Sequence, residues 1–163
     1  MSDIQKAYIA AGCFWGVEEL IREIKGVIST EVGYCGGQID NPVYTLVKTG
    51  QTGHAEAVEI TFNANIISYR EIIELFFKLH DPTTLNQQGN DIGTQYRSAI
   101  FFTNDHQKQT AIDVKESISK SGKWSKPIVT EISPLVKFYS AEDDHQDYLK
   151  KNPNGYMCHY WRN

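Results

Sequence analysis

Cysteine is scarce in this chain. Three thiols, Cys13, Cys35 and Cys158, stand among 163 residues; they are too few and too widely spaced for a disulfide framework, and the odd count leaves at least one thiol free. That usage suits a reducing compartment, and a cytoplasmic location is expected. Basic charge is short as well. With 16 Lys and Arg against 20 Asp and Glu the formal charge is −4, so the clustered positive surface that attracts nucleic acids and anionic membranes is not expected. No apolar run approaches the ~20 residues that cross a bilayer. The opening MSDIQKAYIAAGC imitates a lipoprotein cleavage site, yet Asp3 stands where a cationic region is needed and Ala7 to Gly12 falls short of a ~7–15-residue apolar core. Internal repeats, low-complexity segments and linkers are missing too, which predicts one domain over 1–163. Its 40% hydrophobic and 12% aromatic residues suffice to close a core.

Periodicity then orders the chain. Lys6 to Ala11 reads as a short strand, and Val17, Leu20, Ile21 and Ile24 recur at helical spacing until Gly26, which puts Cys13 on a strand-to-helix turn. VISTEVGY has the β-branched content of a strand and AEAVEITF alternates as a half-buried strand does; a long Gly-, Asn- and Thr-rich loop, Cys35 to His54, lies between them. SYREIIELFFKLH predicts a helix behind a Ser68 N-cap, with Glu71 at capping-box spacing. QYRSAIFFT follows as a strand, DHQKQTAIDVKESISKS as a surface helix, PIVTEIS as a strand, and AEDDHQDYLKK as a short acidic helix before Asn-Pro-Asn-Gly turn chemistry. The order β-α-β-β-α-β from Lys6 to Phe102 predicts an α+β fold, a ferredoxin-like split β-α-β two-layer sandwich with C-terminal additions. Residues 152–163 are expected to form an irregular, mobile tail.

Cys13 is flanked by Gly12 and by Phe14-Trp15-Gly16. At a helix N-terminus the unpaired N–H groups and the helix dipole stabilise a thiolate, and such sites bring a cysteine from ~8.5 to roughly 3.5–7.5, so a lowered pKa is expected. A small buried cysteine among core aromatics is the competing reading. The flanking glycines, which let a backbone pass close to something other than protein, favour a reactive site. Glu56 in GHAEAV reads equally as a solvated strand-face residue or a functional acid, and GNDIGTQYRS is more polar than turns alone require. His54-Ala55-Glu56 is the first half of a zinc deaminase signature whose Pro-Cys-X-X-Cys half is missing. Cys158-His159 lacks further ligands at metal spacing, so no metal is expected. A Cys-His hydrolase can also be written from Cys13 with His54 or His145; a nucleic-acid-binding module lacks both the exposed sheet aromatics and the charge.

Taken together, GCFWGVEE, GYCGG, NPVYTLVKTGQTGHAEAVEITF, HDPTTLNQQGNDIGTQYRSAIF and HQDYLKKNPNGY, spread from Tyr8 to Tyr156, resemble the A class of peptide methionine sulfoxide reductases. The resemblance implies an enzyme without a cofactor that reduces methionine S-sulfoxide, free or in oxidised proteins, as repair of oxidative damage. It implies that Cys13 is the nucleophile and that Glu56, kept protonated by a partly dehydrated pocket, gives its proton to the sulfoxide oxygen. Tyr44 and Tyr96 match the phenols that hold that oxygen, Asp91 matches a polar residue of the same pocket, and Phe14 and Trp15 match the cage for the S-methyl group. The Cys13 sulfenic acid then condenses with a resolving thiol, and thioredoxin reduces the disulfide. Cys158 matches the resolving position best, with Cys35 as a competing partner. The ending MCHYWRN departs from the Gly-rich tails of many relatives, which often hold a further cysteine, and leaves the number of disulfide steps open.

Overall fold

Every second residue of AEAVEITF faces the same way, and the molecule is arranged around that fact. The computed structural model describes residues 3–162; Met1, Ser2 and Asn163, at the ends of the expected domain and tail, lie outside them. In chain order the elements are β1 (Ile4–Ala11), α1 (Phe14–Ile21), β2 (Val27–Cys35), α2 (Tyr44–Val47), β3 (Ala55–Asn63), α3 (Tyr69–Leu79), β4 (Gln87–Gln88), β5 (Asp91–Ile92), β6 (Ser98–Phe102), α4 (Asp105–Lys120), β7 (Glu131–Pro134), β8 (Phe138–Ser140) and α5 (Tyr148–Lys151). Six strands form one sheet in the order β7-β6-β1-β3-β2-β8. Neighbours run antiparallel except for β6 and β7, which are parallel. The chain is therefore a mixed α/β protein.

The pleat divides the interior. Val58, Ile60 and Phe62 of β3 join Ala7 and Ile9 of β1 and Val32 and Tyr34 of β2 in a core with Phe14, Val17 and Ile21 of α1, Ile72, Ile73, Phe76 and Phe77 of α3, and Ala111 and Val114 of α4. The intervening residues, Tyr8, Ala10, Cys35, Ala55, Ala57, Ala99 and Phe101, form a second cluster closed by Leu135 and Phe138.

The capping box on α3 is present: Ser68 Oγ accepts the Glu71 N–H at 3.0 Å and Glu71 Oε1 accepts the Ser68 N–H at 3.1 Å. Helix α1 stops at Ile21, short of Gly26. The loop from Cys35 to His54 contains the helical turn α2, and the three-residue strand β8, too short to leave a periodic trace, pairs with β2. The expected acidic helix is broken into a 3-10 turn, Asp143–His145, and α5, because Asp147 between them takes a left-handed φ of 52°. Helix α3 also anchors the C-terminal segment, since the Lys78 carbonyl accepts the Arg162 N–H at 2.7 Å. Ser68→Ala removes one half of the box and is expected to cost about 1 kcal/mol, read as a lower urea midpoint with an unchanged denaturant slope.

Candidate active site

Cys13 is the N-cap residue of α1, 8% exposed, with extended ψ of 121°. The helix start contributes as expected in one respect: the Trp15 backbone N–H lowers the pKa of the thiol, although Cys13 makes no side-chain cap hydrogen bond. Burial is the larger effect and pushes the thiol upward, and the negative charges of Glu56 and Asp91 add to it. The expectation of a lowered pKa is thus reversed, because a single N–H and a dipole do not offset desolvation next to two carboxyl groups.

Glu56 is the second residue of β3 and 1% exposed. It occupies the same row as Val58, Ile60 and Phe62, the row that faces the helices, so it cannot be a solvated strand-face residue. Its Oε1 accepts the Phe14 N–H at 3.2 Å. Burial pushes its pKa up to about 8, opposed by that N–H and reinforced by Asp91. A carboxyl in this position keeps its proton at neutral pH. The signal was legible in the sequence: a carboxylate on the apolar parity of an alternating strand.

Tyr44 opens α2, and Tyr96 ends a 3-10 turn, Thr94–Tyr96. The two turns are stitched together, since Thr94 Oγ1 donates to the Gly50 carbonyl at 3.2 Å and Gln95 Nε2 to the Lys48 carbonyl at 2.9 Å. This accounts for Thr94 and Gln95 in the polar stretch GNDIGTQYRS. Both phenols are half-buried and stay protonated: burial, then Glu56, pushes Tyr44 up to about 12, and the same causes raise Tyr96. Asp91 is brought in by the β4-β5 hairpin, in which it pairs with Gln88. Gln88 is itself fixed by accepting the Asp81 N–H at 2.9 Å and donating to the Asp81 carbonyl at 2.7 Å. Cys13, Glu56, Tyr44, Tyr96 and Asp91 thus feel one another's charge at a single place.

The two aromatic residues after Cys13 diverge. Phe14 is 1% exposed and packs against Tyr34 and His145 at ring-centroid distances of 5.7 and 5.5 Å. Trp15 is half-buried, stacked on Tyr148 at 3.8 Å, and its Nε1–H donates to His145 Nδ1 at 3.0 Å. The sequence reading missed Tyr148 and Glu142. Glu142 accepts the Tyr34 hydroxyl and the Tyr44 N–H, each at 2.9 Å, and so ties α2 to the core. Neither candidate hydrolase base is placed for that role: His145 Nδ1 is committed to Trp15, and His54, the residue before β3, is held against the Gly37–Ile39 loop, accepting the Gly37 N–H and contacting the Ile39 carbonyl.

The segment after Pro153 has no regular element but is docked across the site. Tyr156 donates to Asp91 Oδ2 at 3.1 Å, Cys158 Sγ lies 3.6 Å from the same oxygen, and His159, 4% exposed, bonds the Ala11 carbonyl at 2.6 Å. Cys158 is near enough to Cys13 to push the Cys13 thiol further upward. Cys35 is on the other face of the sheet, fully buried beside Ala55 and Phe101; burial pushes its pKa up to about 12, with Arg97 opposing. The pleat that turns Glu56 toward Cys13 turns Cys35 away. The glycines around Cys13 make room for protein, contrary to expectation. A Cβ at Gly12, whose φ is +95°, would lie 2.7 Å from Gln88 Cβ, and one at Gly16 would overlap the His159 ring.

The family model described as peptide methionine sulfoxide reductase matches residues 5–163. Among relatives, the peptide methionine sulfoxide reductase MsrA of Mycobacterium sp. (strain MCS) is 51% identical over 99% of this chain and 92% of its own. Among solved structures, Mxr1 from Saccharomyces cerevisiae in reduced form superposes with a TM-score of 0.93, at 39% identity over 98% of this chain and 93% of that one. The same yeast protein in complex with Trx2 gives 0.67, at 26% identity over 98% and 91% of the two chains. With a family match over nearly its whole length and a cysteine, a buried acid and two phenols meeting at one point, this chain belongs to the peptide methionine sulfoxide reductase family.

Proposed function

We propose that this chain reduces methionine S-sulfoxide, free or in oxidised proteins, and is recycled by thioredoxin through an intramolecular Cys13–Cys158 disulfide. The observation that carries the reading is the protonated Glu56 carboxyl, buried at the start of α1 beside the Cys13 thiol. The yeast relative crystallised with Trx2 supports thioredoxin as the reductant. The strand order β6-β1-β3-β2, crossed by α1 and α3, supports a ferredoxin-like split β-α-β reading with C-terminal additions, and we take 1–163 as one domain with 152–163 as its tail. Among the described residues no helix is long and apolar enough to cross a membrane; the three free thiols support a cytoplasmic location.

A sulfoxide has a weakly electrophilic sulfur and a basic oxygen, so the oxygen must be protonated as the nucleophile closes on sulfur. Glu56, Tyr44 and Tyr96 supply the hydrogen bonds to oxygen, and the Glu56 proton is the one transferred. Neutral Glu56 also removes the charge that opposes ionisation of Cys13, so the acid and the nucleophile become competent together. Sulfur attack transfers oxygen to Cys13; methionine leaves, and the proton lost from the thiol restores Glu56. Phe14 and Trp15, with Trp15 held by Tyr148 and His145, form the wall against the S-methyl group that selects one epimer. Cys158 then attacks the Cys13 sulfenic acid, giving the disulfide and water.

Glu56→Gln keeps the shape and removes the proton. It is expected to slow methionine formation in a single turnover by roughly 10²–10⁴-fold; an unchanged rate would assign Glu56 to structure alone. Cys158→Ser is expected to complete one oxygen transfer, accumulate a Cys13 sulfenic acid trapped by dimedone, and lose most thioredoxin-supported turnover, whereas Cys35→Ser keeps that turnover. Peptide mapping that joins Cys13 to Cys35 would reverse the two roles.

The buried proton also shapes stability. An unfolded glutamate titrates near ~4.3, while folded Glu56 titrates at about 8. Between those values the folded state binds the extra proton, so stability falls as pH rises through this window and levels off above it. Glu56→Gln is expected to gain stability relative to the wild type over the same interval, measured as a difference in urea midpoint that widens with pH. A difference independent of pH would contradict a raised Glu56 pKa.

A further inference from the structure

Nothing in the chemistry above explains how the Cys158 thiol is ionised. Its pKa is raised by burial and by Asp91, so at neutral pH the attacking sulfur begins as a thiol, a poor nucleophile. Its neighbour in the chain answers that need. The His159 ring is packed against the Cys13 turn, its Nε2 is 2.6 Å from the Ala11 carbonyl and its Nδ1 is 3.6 Å from Cys158 Sγ. A carbonyl only accepts hydrogen bonds, so Nε2 carries the proton and Nδ1 presents its lone pair to the thiol.

We propose that His159 is the general base of the recycling step, its Nδ1 taking the proton of Cys158 as that sulfur attacks the Cys13 sulfenic acid. The inference rests on Cys158 being the resolving thiol, as proposed above. The Cys158–Cys13 S–S bond forms as the S–O bond of the sulfenic acid breaks; the Cys158 sulfur is oxidised and the Cys13 sulfur reduced. The departing hydroxide takes the Glu56 proton and leaves as water. The proton held on His159 passes to solvent, from which Glu56 is recharged, so no external oxidant is involved.

Three features favour this assignment over a structural histidine. The tautomer is imposed by the last residue of β1, two positions before the nucleophile itself. The ring sits in a slot that only glycine leaves open: a Cβ at Gly16 would overlap Nδ1, and one at Gly12 would lie 3.3 Å from Nε2. Burial, with Arg162 acting in the same direction, lowers the His159 pKa, and the Ala11 carbonyl and Asp91 oppose this, which leaves the ring neutral and able to accept at pH 7. The titratable and charged groups around it are Cys158, Asp91, Arg162 and His80. Asp91 is the rival acceptor, also 3.6 Å from Cys158 Sγ, but its Oδ2 already accepts the Tyr156 hydroxyl, and a carboxylate is a weaker base toward a thiol than an imidazole.

His159→Gln retains a donor that can reach Ala11 and lacks a base; His159→Asn is read in the same way if the glutamine variant folds poorly. The enzyme is mixed with one equivalent of N-acetylmethionine sulfoxide without reductant, quenched at intervals, and mapped for the Cys13–Cys158 disulfide from about pH 6 to about pH 9, a range that spans imidazole and thiol titration. The wild-type rate of disulfide formation is expected to be nearly flat up to about pH 8 and to fall above it, as Glu56 loses the proton that the reaction uses. The variant is expected to be about 10²-fold slower near pH 7, with a rate relative to the wild type that rises about tenfold per pH unit as free thiolate takes over, so that the gap narrows. A gap that stays constant with pH marks an anchor rather than a base, and a rate equal to the wild type's leaves the proton to Asp91; either result overturns the assignment. A wild type that forms no Cys13–Cys158 disulfide removes the recycling reading and this assignment with it.

Discussion

A carboxyl group buried without a cation beside it holds its proton, and the arrangement of this protein follows from that constraint. Glu56 stands on the helix-facing row of β3 with one backbone N–H for a partner. In that position ionisation is disfavoured by desolvation, which costs stability and, in the proposed reaction, supplies a neutral acid for the sulfoxide oxygen. The same low-dielectric surroundings keep Tyr44 and Tyr96 as phenols and Cys13 as a thiol in the resting enzyme. Four groups that would ionise to anions are held neutral together, and the substrate is a neutral, strongly dipolar molecule.

Geometry separates the three thiols. The sheet pleat puts Cys35 and Glu56 on opposite faces, with the body of the sheet between Cys35 and the start of α1. The C-terminal segment reaches the same start from the other direction, through His159 on the Ala11 carbonyl and Arg162 on the Lys78 carbonyl. Gly12 and Gly16 are the sequence's concession to that docking: they bracket Cys13 because the ring of His159 and the stem of Gln88 occupy the space their side chains would take. Trp15 stacks on Tyr148, while Phe14 packs against His145 and Tyr34.

Much of the frame was legible in the amino-acid order because its causes are local. The capping box at Ser68, the alternation in β3 and the strand-turn-helix around Cys13 each depend on a few adjacent residues. Elements whose formation depends on distant partners were not legible: β8 exists because β2 has a free edge, and the acidic helix is split by the left-handed Asp147, whose N–H is captured by Glu18 at 2.8 Å. At the site, the identities of Cys13, Glu56, Tyr44, Tyr96 and Asp91 followed from motif resemblance, and the structure brings all five together. The direction of the Cys13 pKa did not follow, because a helix N-terminus is visible in sequence and the depth of its burial is not. In the sequence His159 stands out only as half of a metal site, since its contact with the Ala11 carbonyl spans 148 residues of the chain.

The proposed reaction depends most directly on the proton that Glu56 holds at neutral pH. Nuclear magnetic resonance of the glutamate side-chain carboxyl carbons, with the Glu56 signal assigned by its loss in Glu56→Gln, measures that proton directly. A titration midpoint near 8 is expected. A midpoint near the ~4.3 of a solvated glutamate would leave a carboxylate facing the sulfoxide oxygen and would contradict the proposed reaction.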